Sequence, residues 1–156
     1  MAQLKERLKA DLTTAMKDRD KTKTATLRMA LAALTTEEVA GDVARELSDA
    51  EVERVLTREV KKRKEAADAF RDAGRTEQAD LELAEADVLA DYLPKQLDDA
   101  ELTALVDAAV AEVTAQLGEA PGPRQMGQVM KAATTKAAGR ADGKRISTAV
   151  KARLAG

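Results

Sequence analysis

The sequence predicts an all-α protein, and three observations support this. Tyr92 and Phe70 are the only aromatic residues among 156, so a core must be built from Leu, Val, Met and Ala, most of which favour helices. Apolar residues recur three or four positions apart, and alternating runs of β-branched residues are missing. A hydrophobic content of 44% is enough to bury a core in one compact domain or two small ones.

Apolar stripes predict four helices before Pro94. The first two are marked by Leu4, Leu8, Leu12 and Met16, and by Leu27, Leu31 and Leu34. We expect the second helix to end near Gly41, because glycine readily takes the left-handed conformation that closes helices. Ser48 and Glu51 form a capping box for the third helix, which runs to Gly74 over about 38 Å at 1.5 Å per residue.

The fourth helix leads to a proline that marks the predicted domain boundary. This helix carries Leu81, Val88, Leu89 and Tyr92. The ring of Pro94 disfavours helical geometry at the residue before it. The prediction is therefore an N-terminal domain at 1–93, with about four helices of which one is long.

Three further helices are predicted in a C-terminal domain at 95–156. Asp98 and Glu101 repeat the capping pattern before the broadest apolar stripe of the chain, which is typical of a central packing helix: Leu102, Leu105, Val106, Ala109, Val110, Val113 and Leu117. The sixth helix runs from Met126 to Gly139, and Asp142 caps the seventh. We expect this small domain to fold alone with marginal stability.

Composition excludes most familiar catalytic chemistry. The chain has no Cys and no His, which removes thiolate nucleophiles, histidine bases and Cys or His metal clusters. Glu82, Glu85 and Asp91 lie on one predicted helix, but carboxylates of one helix are a weak metal signal. We therefore predict no catalytic residue, no metal and no cofactor.

Targeting signals are also missing from the sequence. The segment from Met1 to Leu12 is rich in charge and lacks the apolar core of a signal peptide. No apolar run approaches the roughly 20 residues that a membrane span needs. The expectation is a soluble cytoplasmic protein with no membrane contact.

The net charge of −2 hides strong segregation along the chain. Residues 1–28 carry eight basic and four acidic groups, whereas residues 77–91 carry six acidic and no basic groups. Residues 95–121 carry one basic and six acidic groups, and residues 122–156 carry eight basic groups against Asp142 alone. A local positive excess of this size attracts polyanions.

Two interpretations of the basic tail at 122–156 remain open. Its positive faces could dock against acidic helices of the same molecule. Alternatively, Arg140, Lys144 and Arg145 could surround a glycine-flanked turn and form a phosphate-binding surface with the first amides of the seventh helix.

Several short motifs, in their order along the chain, together resemble the GatB/YqeY family. They are Leu27-Arg28-Met29, Lys61-Lys62-Arg63, Ala73-Gly74-Arg75, Tyr92-Leu93-Pro94, the MGQVMK segment from Met126 to Lys131 and the GRADG segment from Gly139 to Gly143. The resemblance covers nearly the whole chain, and the last two motifs are its most specific part. This family supplies the tail domain of a subunit of a tRNA-dependent amidotransferase.

The resemblance implies recognition of RNA shape. The tail domain of the amidotransferase subunit is thought to approach the elbow of tRNA, and Lys131, Arg140 and Lys144 fall in or beside the matching motifs. Because aromatic stacking platforms are absent, binding would rest on phosphates and 2′-hydroxyls and would depend strongly on salt. The expected partner is tRNA or another structured RNA, with Lys131, Arg140, Lys144 and Arg145 as the contacts.

Other residues of these motifs have structural interpretations. Gly139 is expected to cap the sixth helix and Gly143 to lie in the turn after Asp142. Gly127 would let another helix approach closely, with Met126 and Met130 filling the gap around it. Arg28 is expected to pair with a carboxylate of the acidic fourth helix.

The run from Lys61 to Lys64 spans more than one turn of the third helix, so it cannot face one partner as a whole. It is interpreted as a solvated face. Arg63 and Arg75 are predicted as secondary contacts to RNA or protein.

The sequence leaves two other functions open. The protein could be a docking accessory of an amidotransferase or synthetase complex, acting in tRNA aminoacylation or transamidation through its long helix and its acidic helices. By family association alone, it could be a carbon–nitrogen ligase that uses glutamine as amide donor. The resemblance argues against the ligase, since glutaminase chemistry belongs to a separate subunit and transamidation to a larger catalytic domain. Ser48 is itself interpreted as a helix cap.

Overall fold

The computed structural model describes residues 2–155, and every regular element in that range is helical. The prediction of an all-α protein is therefore confirmed. The helices are α1 (Gln3–Lys17), α2 (Lys21–Glu38), α3 (Asp49–Asp72), α4 (Thr76–Ala90), α5 (Asp99–Leu117), α6 (Met126–Ala137) and α7 (Gly143–Ala155). A short 3-10 turn at Pro123–Gln125 leads into α6.

The chain divides between Leu93 and Pro94 into two compact units, called unit 1 and unit 2 below. Unit 1 contains α1 to α4, and its fully buried side chains include Leu8, Leu27, Leu34, Leu56 and Leu89. In unit 2, α5 packs against both α6 and α7, around a core that includes Val106, Val113, Val129, Ile146 and Val150. That each unit folds as an independent domain stays a prediction.

Two helices begin at the capping boxes that the sequence predicted. Ser48 Oγ accepts a hydrogen bond from the Glu51 amide at 3.2 Å, and Glu51 Oε2 accepts one from the Ser48 amide at 2.9 Å. Asp98 Oδ1 accepts from the Glu101 amide at 2.7 Å. Since these backbone amides favour the ionised carboxylates, they hold the pKa values of Glu51 and Asp98 below their ordinary range.

Glycines end α3 and α5, but the prediction that Gly41 ends α2 is wrong. Gly74 and Gly118 have left-handed φ values of 75° and 80° just beyond α3 and α5. Gly41 does not have a positive φ, and α2 ends at Glu38, three residues before it. A left-handed terminator is not needed there, because the Arg45 amide satisfies the Glu38 carbonyl at 3.0 Å.

Arg63 is buried in unit 1, so the sequence interpretation of this residue is corrected. Its side chain is only 4% exposed, and Nη1 lies 2.8 Å from Glu59 Oε2. Its Nε lies 3.3 Å from Glu85 Oε2 of α4, although the N–H points too far aside for a hydrogen bond. A guanidinium enclosed in this way cannot serve as a contact to RNA or protein.

The cation that pairs with α4 is thus Arg63 and not Arg28. Arg28 is exposed, and its described polar contact is with Met16 Sδ at 3.8 Å. The reason is helical geometry. Arg63 continues the buried stripe of Leu56, Val60 and Ala67, whereas Arg28 follows the buried Leu27 on the outward side.

The end of unit 1 is anchored by Tyr92. Its hydroxyl donates to Asp11 Oδ2 of α1, and the Arg7 guanidinium lies 4.6 Å from the centre of its ring. Burial and this carboxylate acceptor together raise the pKa of the Tyr92 phenol above its ordinary value. The phenol therefore stays protonated and continues to donate throughout the neutral range.

We predict that Arg63→Ala lowers the free energy of unfolding by about 3 kcal/mol, because it removes the buried cation that lies between Glu59 and Glu85. The matched control is Lys62→Ala, whose side chain also lies near Glu59, at 3.8 Å, but is 75% exposed, so water screens the pair. This control should change stability by less than about 0.5 kcal/mol. Urea denaturation followed by circular dichroism measures both, and equally small effects would contradict the structural role of Arg63.

Candidate nucleic-acid interface

The turn between α6 and α7 is formed by two successive left-handed residues. Ala138 has a φ of 48° and Gly139 a φ of 80°. The Arg140 amide then donates to the Ala137 carbonyl at 2.9 Å. Asp142 Oδ1 accepts from the Arg145 amide at 2.8 Å, so Asp142 caps α7 as predicted. The cap of α6 is Ala138 and not Gly139, which follows it as the second left-handed residue of the turn.

Arg140 folds back onto the end of α6. Its Nε donates to the Ala137 carbonyl and its Nη2 to the Lys136 carbonyl, both at 3.0 Å. A cation is favoured at a helix C-terminus, where the last carbonyls lack helical partners. The side chain is half-buried, and its guanidinium is already hydrogen-bonded within the protein.

Arg145 fastens the loop before α5 to the same turn. Its Nη1 donates to the Leu97 carbonyl at 2.9 Å, and its Nη2 lies 3.1 Å from Asp99 Oδ1. The Leu97 amide in turn donates to the Arg140 carbonyl at 2.8 Å. The backbone of Leu97 is therefore held on both sides, and Leu97 itself is buried.

Other cations of the basic tail pair with carboxylates of α5. Lys136 Nζ lies 3.0 Å from Glu112 Oε2, and Arg153 Nε lies 2.8 Å from Asp107 Oδ1. Together with Arg145, three tail cations contact acidic residues at the start of, or along, this helix. Part of the positive charge that the sequence places in the tail is thus neutralised within unit 2.

Four tail cations remain exposed, and within residues 2–155 their side chains have no hydrogen bond or ion pair. They are Arg124, Lys131, Lys144 and Lys151. Lys131 lies at the groove between α5 and α6, beside the polar side chains of Gln116, Gln128 and Thr135. Lys144 is the second residue of α7, next to the turn. Of the four predicted RNA contacts, Lys131 and Lys144 are therefore free and Arg140 and Arg145 are engaged.

Two glycines of the motifs do not have the structural roles expected of them. Gly127 is exposed on α6, and a Cβ built on it would meet no atom within 4 Å, so no helix approaches closely there. Gly143 is the first residue of α7 rather than a turn residue, and a Cβ would meet nothing there either. Met126 and Met130 do pack against the core of unit 2 as predicted.

The remaining predicted residues lie outside this surface. Arg75 is exposed just before α4 and makes no side-chain cap there. Pro94 is half-buried at the start of unit 2. Across the described residues 2–155, no three acidic side chains are grouped closely enough to hold a metal ion. In the same range, none of the helices combines the length and the apolarity that a membrane span requires.

Sequence reasoning missed the division between free and engaged cations. The signal for Arg63 was present in the sequence, because this residue falls on the apolar stripe of its helix. For Arg140 and Arg145 no such signal exists, since their acceptors are backbone carbonyls that only the folded turn brings into reach.

These features define a small all-helical protein whose second unit carries the GRADG turn and the MGQVMK helix. The sequence profile described as Yqey-like protein matches residues 5–154, and the chain belongs to this family. The resemblance predicted from the motifs is thereby confirmed. A comparison with curated proteins gives no significant match.

Gly139 and Gly127 provide a matched pair of glycine substitutions. Gly139→Ala should lower the free energy of unfolding by about 1–2 kcal/mol, because alanine is strained at a φ of 80°. Gly127→Ala should raise it by up to about 1 kcal/mol, since alanine favours the helix and the added methyl meets open space. Thermal and urea unfolding measure both. A loss of stability in Gly127→Ala would show that α6 does require this glycine.

Proposed function

We propose that unit 2 is a three-helix domain that follows a multi-helix N-terminal domain, and that it binds tRNA or another structured RNA. The observation that carries this proposal is the set of four exposed cations without partners in a unit whose other tail cations are engaged. Exposed, unpaired cations are the groups that displace counterions from a phosphate backbone. Lys131 and Lys144 are the central contacts, and Arg124 and Lys151 are further exposed cations of the same unit.

The chemistry of this surface favours recognition of RNA shape over recognition of bases. Unit 2 contains no aromatic residue on which a base could stack, because Phe70 and Tyr92 both belong to unit 1. Lysine ammonium groups act as point charges toward phosphates and do not read base edges. Folded RNA is then distinguished from other polyanions by the spacing of its phosphates and by its 2′-hydroxyls.

Arg140 and Arg145 support the proposed surface in a different way. Their guanidinium groups hold the α6–α7 turn and the Leu97 loop, and so they fix the segment that carries Lys144. Replacing either arginine would disturb the fold together with any RNA contact. A test of RNA binding must therefore use the lysines.

A relation to tRNA-dependent amidotransferases is part of the same proposal. In that setting the RNA ligand is a tRNA undergoing aminoacylation or transamidation, and the protein contributes binding without a catalytic group of its own. The alternative is a docking role toward a protein of that pathway. This alternative predicts that binding to the partner protein persists when the free lysines of unit 2 are replaced.

We predict that Lys131→Gln/Lys144→Gln weakens tRNA binding and leaves the fold intact, since neither side chain has a partner to lose. In fluorescence anisotropy with labelled tRNA, the slope of log affinity against log salt should become about two units shallower. Lys131→Glu/Lys144→Glu should weaken binding further through repulsion of phosphates.

The control is Lys61→Gln/Lys64→Gln on α3, which removes the same charge from two exposed lysines of unit 1. It should leave the salt slope nearly unchanged. Duplex DNA and unfolded RNA of equal charge serve as competitors. Two results would show that the interaction is only generic charge attraction. One is an equal loss of binding in both double variants, and the other is equal competition by tRNA, duplex DNA and unfolded RNA.

A further inference from the structure

A second group of exposed cations lies in unit 1, at the corner between α1 and α2. This corner, defined as residues 16–28, has five exposed cations: Lys17, Arg19, Lys21, Lys23 and Arg28. None of them forms an ion pair within the described part of the chain. Asp18 and Asp20 are the only acidic residues of the corner, so it carries an excess of three positive charges.

The corner contains an open pocket lined by three cationic side chains, although most of its lining surface is apolar. Arg19, Lys21 and Arg28 surround it, together with Thr24 and the stem of Met16. Asp20 also lines it, but its carboxylate already accepts a hydrogen bond from the Lys23 amide at 3.0 Å as the cap of α2. The charged residues that line the pocket are thus three cations and one aspartate, and the aspartate is engaged by the backbone.

The hydroxyl of Thr24 is available in the same pocket. Thr26, Thr35 and Thr36 of the same helix each donate to the carbonyl four residues earlier. Thr24 does not make this bond, nor any other side-chain hydrogen bond among residues 2–155. A half-buried hydroxyl without an acceptor beside three cations can donate to a bound oxyanion.

The backbone of Arg19 is strained at the opening of this pocket. It has a φ of 57°, and the Asp20 amide donates to the Ala15 carbonyl at 3.0 Å, which makes a left-handed helix end. Glycine fills three of the other left-handed positions among the described residues, at Gly74, Gly118 and Gly139, and the small residue Ala138 fills the fourth. Strain of this kind persists where the surrounding structure imposes it, and it is concentrated at functional sites. At Arg19 it places a guanidinium where glycine would fit the backbone better.

We propose that this corner binds a phosphate group of an RNA backbone and gives the protein a second contact to RNA outside unit 2. The guanidinium groups of Arg19 and Arg28 pair with the phosphate oxygens, Lys21 adds charge, and the Thr24 hydroxyl donates to the same group. The proposal rests on the RNA binding proposed above, because it assigns the same class of ligand to a separate set of residues.

The test uses a substitution that separates binding from stability. Arg19→Gly relieves the left-handed strain, so we expect a higher melting temperature together with weaker binding to fluorescein-labelled tRNA. The double variant Arg19→Gly/Arg28→Gln should lower affinity about eightfold per lost contact at 0.1 M salt, and should make the salt slope about two units shallower. A purely structural role for Arg19 would leave the affinity of the more stable variant unchanged.

Three double variants of the full chain are measured together. The corner variant is Arg19→Gly/Arg28→Gln, the unit 2 variant is Lys131→Gln/Lys144→Gln, and the α3 control is Lys61→Gln/Lys64→Gln. If the corner variant behaves like the α3 control, the inference is overturned, whatever the unit 2 variant does. If the unit 2 variant alone behaves like that control, RNA binding through unit 2 fails and the corner remains the RNA contact. If the corner variant loses binding to polyglutamate but retains its affinity for tRNA, the corner is a site for acidic protein and the inference is likewise overturned.

Discussion

The arrangement of the three helices in unit 2 depends on the hydrogen bonds of the Leu97 backbone. Its amide donates to the Arg140 carbonyl, and its carbonyl accepts from the Arg145 guanidinium, so a single peptide segment is fixed to the α6–α7 turn on both sides. Arg140 meanwhile satisfies the last carbonyls of α6. In a small unit with a core of mostly Val and Ala, such polar contacts help to hold the three helices together where apolar burial alone is limited.

This arrangement divides the positive charge of the tail into two classes. One class stabilises the fold through carbonyls and α5 carboxylates, and the other remains in water with its full charge available. A count of charges along the sequence adds both classes together, and so it overstates the surface that a polyanion can reach. In the proposed interface only the smaller free set would act, because each unpaired cation near a phosphate contributes separately to counterion release.

Much of the fold could be predicted because it follows from local chemistry. Ser48 and Asp98 cap their helices through neighbours three residues away, and Gly74 and Gly118 end theirs through their own backbone freedom. The errors arose where the outcome depends on tertiary contacts. Gly41 is a glycine that the chain does not use as a terminator, and Gly127 meets no neighbouring helix. The fate of Arg63 was readable from its position in the apolar stripe, whereas that of Arg140 was not.

The burial of Tyr92 has a consequence for spectroscopy. The chain contains one tyrosine and no tryptophan, so its intrinsic fluorescence arises from a single ring in unit 1 that is packed against Arg7 and hydrogen-bonded to Asp11. That signal reports the melting of unit 1, whereas far-ultraviolet circular dichroism sums the helices of both units. The two signals recorded on one sample reveal directly whether the halves of the molecule lose their structure in one cooperative transition or in two.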